Sequence, residues 1–200
     1  MTLLDLKPRP LALAAALALG GIAMTGCTTT TPRNNNAQSP NHTSREAAID
    51  ANVQSTLLRL YDNAPGSNEL VQKAAGVLVF PAVIGGGFVV GAEYGRGALL
   101  AGGRTAGYFS TTAGSIGFQA GGQSKAVIYV FNTREALDKF LNSNGWTVGV
   151  DANVTIATVG ANASVNNHTI QQPVVGYVLT NVGLEAGASV LGAKISRIKP

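Results

Sequence analysis

The sequence predicts an α+β fold: a large, curled, mainly antiparallel and glycine-rich β-sheet, barrel- or sandwich-like, packed with about three α-helices. Three observations carry this expectation. The first is the stretch KAAGVLVFPAVIGGGFVVGAEYGRGALL, Lys73 to Leu100, an apolar run cut repeatedly by glycine. Val77–Phe80 is β-branched and aromatic, Pro81 is expected to stop that run, and the triplet Gly85–Gly87 opens a second one, Phe88–Glu93. A membrane helix would need roughly 20 uninterrupted apolar residues, which Pro81 and the triplet deny it.

The second observation is a six-residue pattern that occurs at Val90–Gly95, Ile116–Gly121, Val148–Asn153 and Val182–Gly187, each copy reading Val/Ile, Gly, apolar, Glu/Gln/Asp, Ala/Tyr, Gly/Asn. On a strand one face of the pattern is apolar and the other nearly bare. Glycines there fit a sharply bent sheet or the close approach of another backbone. A sharper alternative makes the bare face a groove walled by Glu93, Gln119, Asp151 and Glu185. Likeness beyond the six residues is too weak for a solenoid. The third observation is helical periodicity confined to short segments.

In chain order, Lys7 and Arg9 precede an apolar run from Leu11 to Ala23, and then Met24-Thr25-Gly26-Cys27. This has the form of a signal peptide too short to span a bilayer comfortably. Its last four residues resemble the lipobox of bacterial lipoproteins, which implies that Cys27 is acylated with palmitate-type chains and becomes the new amino terminus. Each buried methylene of such a chain contributes about 0.8 kcal/mol, so several chains anchor a domain stably. Thr28 stands where enteric-type lipoproteins retained at the inner membrane carry aspartate, so the expected location is the outer membrane, facing the periplasm or the cell surface. Cys27 is the only cysteine, which excludes an intramolecular disulfide and a multi-cysteine metal site.

Residues 28–43 read as a polar, disordered tether containing His42. A single domain is expected over 44–200. Thr43-Ser44-Arg45-Glu46 has the form of a capping box, and Ile49, Val53, Leu57 and Leu60 follow at helical spacing; Arg45, Asp50, Gln54 and Arg59 occupy the opposite face. Ser67 is expected to cap a second helix running to Ala75. Beyond Leu100, strands are expected at Tyr108–Thr112 and Ser115–Ala120. The run Ala126–Phe131, AVIYVF, is the most strongly β-forming and is read as a central strand. A third helix is expected over Arg134–Leu141, then strands at Trp146–Ala152, Val154–Val159, Ala161–Val165, Val174–Thr180, Gly183–Ala188 and Leu191–Ile195.

The formal charge is +4, and setting residues 1–27 aside removes Lys7, Arg9 and Asp5, one net positive charge. With no dense Lys/Arg cluster or stacking platform, nucleic-acid binding is set aside. His42 and His168 are far apart in sequence with no cysteine partner nearby, so no metal or other cofactor is expected. The glycine-rich segments lack the lysine of a phosphate loop and the order of a dinucleotide turn, and the serines lack a histidine partner. The expectation is therefore a protein that is not an enzyme.

The runs AAGVLVFPAVIGGGFVVGAEYGRGALL, GSIGFQAGGQSKAVIYVFNTREALDKFL, WTVGVDANVTIATVG and VGLEAGASVLGAKI closely resemble the SYLF domain family, the actin- and phospholipid-binding domain of Lsb3/Lsb4-type proteins. The resemblance covers about Ser44 to Ile198. It implies binding of phospholipid, with anionic or phosphoinositide-type headgroups, by a membrane-anchored lipoprotein; actin is not expected as partner where the lipobox would place the chain. The site candidates are chosen on chemistry. Lys73, Arg96, Arg104 and Lys125 are basic residues beside glycine-rich segments, suited to phosphate. Ile84 and Phe88 are candidates for acyl-chain contact, although core burial is the default expectation for both. Two other readings stand beside this one: a structural envelope protein binding a protein or glycan partner, and a small transmembrane barrel, against which the internal helices and absent aromatic girdles argue.

Overall fold

The structure, a computed structural model, describes residues 42–87, 90–116, 123–157, 171–181, 183–184 and 190–198. All of them belong to one compact unit, residues 38–200. Helices α1 (His42–Asn63) and α2 (Ser67–Lys73) precede four long strands, β1 (Gly76–Gly87), β2 (Val90–Ala101), β3 (Arg104–Ile116) and β4 (Gln123–Phe131). Helix α3 (Arg134–Leu141) and the strands β5 (Trp146–Thr147), β6 (Thr155–Ile156), β7 (Val174–Thr180), β8 (Gly183–Leu184) and β9 (Lys194–Arg197) follow. The strands form a single sheet in the order β5-β9-β3-β2-β1-β4-β7-β6, with β8 paired to β7. All pairings are antiparallel except β6 with β7. The expected α+β class with three helices on a large, mostly antiparallel sheet is what the described residues form.

Burial on both faces explains why β4 reads as a continuous apolar run. Val127, Tyr129 and Phe131 face α3, Leu137 and Phe140, whereas Ala126, Ile128 and Val130 face α1. On the α3 side, Trp146 meets Tyr129, Phe131 and Phe140 with ring centroids 5.8, 6.0 and 5.5 Å apart. Each such fully buried side chain contributes about 1.5–3 kcal/mol. Helix α3 has the boundaries its sequence predicts, because the Thr133 hydroxyl accepts from the Ala136 amide at 3.2 Å and caps it.

Helix α1 buries Val53, Leu57 and Leu60 on the other face, as their spacing requires. Its polar residues are not all left to solvent. Asp50 accepts hydrogen bonds from the hydroxyls of Thr105 at 3.0 Å and Tyr108 at 2.9 Å, and Arg59 donates to the Thr180 carbonyl at 3.1 Å. The helix is thereby clamped across the sheet from β3 to β7. It begins at His42, inside the stretch read as tether. Helix α2 is preceded by Gly66 at φ 87°, and Ser67 does not cap it: its hydroxyl donates to the Leu60 carbonyl instead.

Pro81 does not stop β1. Residue pairing steps from Val79↔Ala98 to Ala82↔Arg96 against β2, and from Phe80↔Val127 to Val83↔Lys125 against β4, so β1 carries one extra residue against both neighbours. The bulge sits where Pro81 has no amide to give to a ladder. It presses on β2, where a Cβ added at Gly97 would overlap the Val79 carbonyl. Only glycine fits there without a backbone shift. The bulge also resets the alternation. A regular strand would send Phe80, Ala82 and Ile84 to the same side; the extra residue sends Val83 to the α3 side and turns Ile84 outward, 63% exposed. The expected core burial of Ile84 is corrected for this reason.

The remaining departures are of extent. Tyr108–Thr112 and the start of the next expected strand are one strand, β3, passing through Ala113-Gly114. The third copy of the six-residue pattern is a turn with an isolated Val148↔Ala152 bridge and Gly149 at φ 84°. The pattern therefore does not repeat one structure. The expected strand at 161–165 lies outside the described residues.

Candidate functional site

The first copy of the pattern shows how the faces are used. Gly91, Glu93 and Gly95 point to the α3 side and Ala92, Tyr94 and Arg96 to the other, so the apolar-and-aromatic face is the exposed one and the glycine face is covered or half-covered. A Cβ at Gly95 would come within 2.9 Å of the Ala82 carbonyl. Glu93 reaches across β1 to Lys125, its Oε1 accepting from Nζ at 3.0 Å, with about a fifth of each side chain exposed. A Cβ at Gly85, the residue between them on β1, would lie 3.1 Å from the Glu93 Cγ. The missing side chain is what lets the pair span the strand. Asp151 accepts from the Thr147 amide, closing its own turn. Both carboxylates are thus occupied by structural bonds, while Gln119 and Glu185 lie outside the described residues. The groove walled by these four residues does not form around Glu93 or Asp151.

A cleft of about 270 Å³ opens where the first turn of α1 meets β2, β3 and the end of β9. His42, Arg45, Arg96 and Arg197 line it, with Glu46 as its acidic residue and Tyr108 on its wall. The Arg96 Nε donates to the Tyr94 hydroxyl at 2.8 Å, which leaves its terminal amino groups available. The Arg197 guanidinium lies 5.0 Å from the centre of the Phe109 ring. Among the described residues, none of the three arginines is ion-paired with a carboxylate. Burial first, then the hydrogen bond to Asp50 and the charges of Asp50 and Glu46, push the Tyr108 hydroxyl up to about 12, so it stays a neutral donor at any physiological pH.

Of the candidates read from sequence, only Arg96 lies in this cleft. Ile84 shares its face of the sheet, one register row away, opposite Tyr94. Lys125 is on the reverse side and committed to Glu93. Lys73, on α2, faces Glu69 at 4.0 Å with both side chains largely exposed, and Arg104 sits exposed beside the Gly102-Gly103 turn between β2 and β3. Phe88 and Cys27 lie outside the described residues. Arg45, Arg197 and His42 also line the cleft and are not among those candidates. Their convergence depends on β9 pairing with β3 and on α1 crossing it, and no local pattern at residues 42–45 or 197 announces that.

Residues 112–199 match the family Ysc84, described as Las17-binding protein actin regulator. Over that span, less than half of the chain, the sequence is similar to the SYLF domain family. The match runs from the middle of β3 through β9, so the SYLF span contributes Arg197 to the cleft, while Arg45 and Arg96 precede it. The partner strands β1 and β2 lie inside the same sheet, between β3 and β4. The family suggests an interaction domain. A search of curated proteins returned no match.

Proposed function

We propose that this chain is a non-catalytic, membrane-anchored lipoprotein whose SYLF domain binds anionic phospholipid headgroups, phosphoinositide-type ones included. The observation that carries the reading is the cleft lined by Arg45, Arg96 and Arg197 without a paired carboxylate among the described residues. Guanidinium groups offer planar, bidentate donors to phosphate, and a partly enclosed site weakens their screening by salt. Tyr108 adds a neutral wall that does not repel an anion.

The proposed anchor at Cys27 and the tether make weak headgroup contacts count, because they hold the domain at high effective concentration beside the bilayer. The location that fits is the outer membrane. The structural commitments of Glu93 and Asp151 support a binding rather than a catalytic role.

Co-sedimentation of Thr28–Pro200, which contains the whole compact unit and no acyl chain, with vesicles of graded phosphatidylglycerol content tests the reading. The expected result is saturable binding that weakens with salt and falls about tenfold in Arg45→Ala and Arg96→Ala. Folded protein that binds no vesicle of any composition overturns it and favours an envelope scaffold with a protein or glycan partner.

A further inference from the structure

Helix α1 covers only half of its face of the sheet. Val79 and Ala98 lie beneath it, but beyond the Pro81 bulge the same face is open. One register row there runs Ser124, Ile84, Tyr94, Thr112, Lys194 and Thr147 across β4, β1, β2, β3, β9 and β5. The next row holds Ala82, Arg96, Ser110 and Ser196. Ile84 and Tyr94, 63% and 47% exposed, are cross-strand neighbours with the small residues Ala92, Gly86 and Gly114 beside them on the side away from Arg96. They therefore stand proud of that side.

Asp151, whose carboxylate accepts from the Thr147 amide, borders this open area at its β5 end; from β4 to β9 no Asp or Glu faces it among the described residues, and its two charges there, Arg96 and Lys194, are both positive. The nearest carboxylate along β2, Glu93, points through to the other side and is neutralised by Lys125. An aliphatic side chain beside a tyrosine, flanked by cations and with carboxylates only at the margins, is the chemistry of an anionic bilayer's interfacial zone. There an aromatic ring with a polar tip and an alkyl group enter the headgroup layer while basic groups meet phosphates.

We propose that this open half-face is the surface on which the domain docks to an anionic lipid bilayer, with Ile84 and Tyr94 entering the headgroup region and Arg96 and Lys194 at the phosphates. This rests on the lipid-binding reading and adds the orientation: the domain lies sheet-face down. Because Arg96 belongs to both surfaces, the cleft opens beside the bilayer, within reach of a headgroup.

The test measures binding of unacylated Thr28–Pro200 to vesicles of equal parts phosphatidylcholine and phosphatidylglycerol, and separately to glycerol phosphate as a soluble probe of the cleft. Ile84→Glu and Tyr94→Glu are compared with Leu58→Glu, an apolar site on α1 that is also 63% exposed. The emission of the buried Trp146 verifies folding in every variant, and Ile84→Ser serves as a milder version. The expected result is a loss of vesicle partitioning of about tenfold or more for the two face variants, from the buried apolar area forgone and the added charge. Leu58→Glu should change it little, and glycerol phosphate binding should stay at the wild-type level in Ile84→Glu, Ile84→Ser and Leu58→Glu, which leave Tyr94, the hydrogen-bond acceptor of Arg96, in place. Unchanged partitioning of the face variants, or an equal loss with Leu58→Glu, overturns the proposal while leaving lipid binding standing. Wild-type protein that binds glycerol phosphate but no vesicles overturns both. A dimer that dissociates in Ile84→Glu without change in vesicle binding assigns the face to a second copy and overturns it too.

Discussion

Phe80 and Ile84 lie four residues apart on β1, in the same glycine-punctuated apolar run, and their surroundings are opposite. Phe80 is fully enclosed, against Tyr129 in the aromatic core, and Ile84 is largely open to solvent. The same holds along β2, where Ala98 and Leu99 are enclosed and Ala92 and Tyr94 are not. The two halves of the sheet share composition and differ in what lies on top of them. Residue type made both halves strands; the reach of α1 and a single extra residue at Pro81 decided which side chains became core.

The comparison is broken most severely at its enclosed end. Phe80→Ala should cost about 3–5 kcal/mol in chemical denaturation, and Ile84→Ala less than about 0.5 kcal/mol. Similar costs for the two would mean that the open half is covered in solution. Gly97→Ala should follow, at about 1–3 kcal/mol or more, since the new methyl must displace the Val79 carbonyl and with it the bulge; a neutral effect on the melting temperature would show that β1 is regular there. Smaller again is the Glu93–Lys125 pair. A double-mutant cycle with Glu93→Gln and Lys125→Met should give a coupling of about 1–2 kcal/mol, above that of the exposed Lys73–Glu69 pair, for which the same cycle should give close to zero.

The gentlest probe is pH. Tyr108 and Tyr177 are pushed up to about 12, in both cases chiefly by burial, against about 10 for tyrosine in an unfolded chain. Between those values the unfolded chain gives up protons that the folded one keeps. Stability is therefore unaffected by these groups below about pH 10 and falls as pH rises through that window. Asp50→Asn removes the charge that helps hold Tyr108 neutral, so part of the phenolate absorbance should appear at lower pH than in the wild type. An unchanged titration would break the proposed clamp between α1 and β3.

Much of the fold was legible because local chemistry and tertiary context agreed. Helix α3 had its cap, β4 and β7 their runs rich in β-branched and aromatic residues, and α1 its apolar stripe. What was not legible depended on partners distant in sequence. Pro81 reads as a terminator in isolation and becomes a bulge only because β2 offers Gly97 to receive it. The pattern at 148–153 reads as a strand but turns, with Gly149 at positive φ. At the cleft, Arg96 is the one sequence candidate among the lining residues. Its companions come from the first turn of a helix and the last strand of the sheet, joined only by topology.

The Pro81 bulge has a further consequence for an open, small-residue sheet. Flat strands with little to distinguish one side-chain pairing from the next are prone to slide, and sliding by one residue exchanges their two faces. Here the protruding carbonyl of Val79 and the vacancy at Gly97 act as a peg and its socket. Any other alignment of the hairpin would drive the peg against a residue with a side chain or leave the socket empty. The feature that exposes Ile84 also pins the pairing, so the surface it creates is presented in one register only.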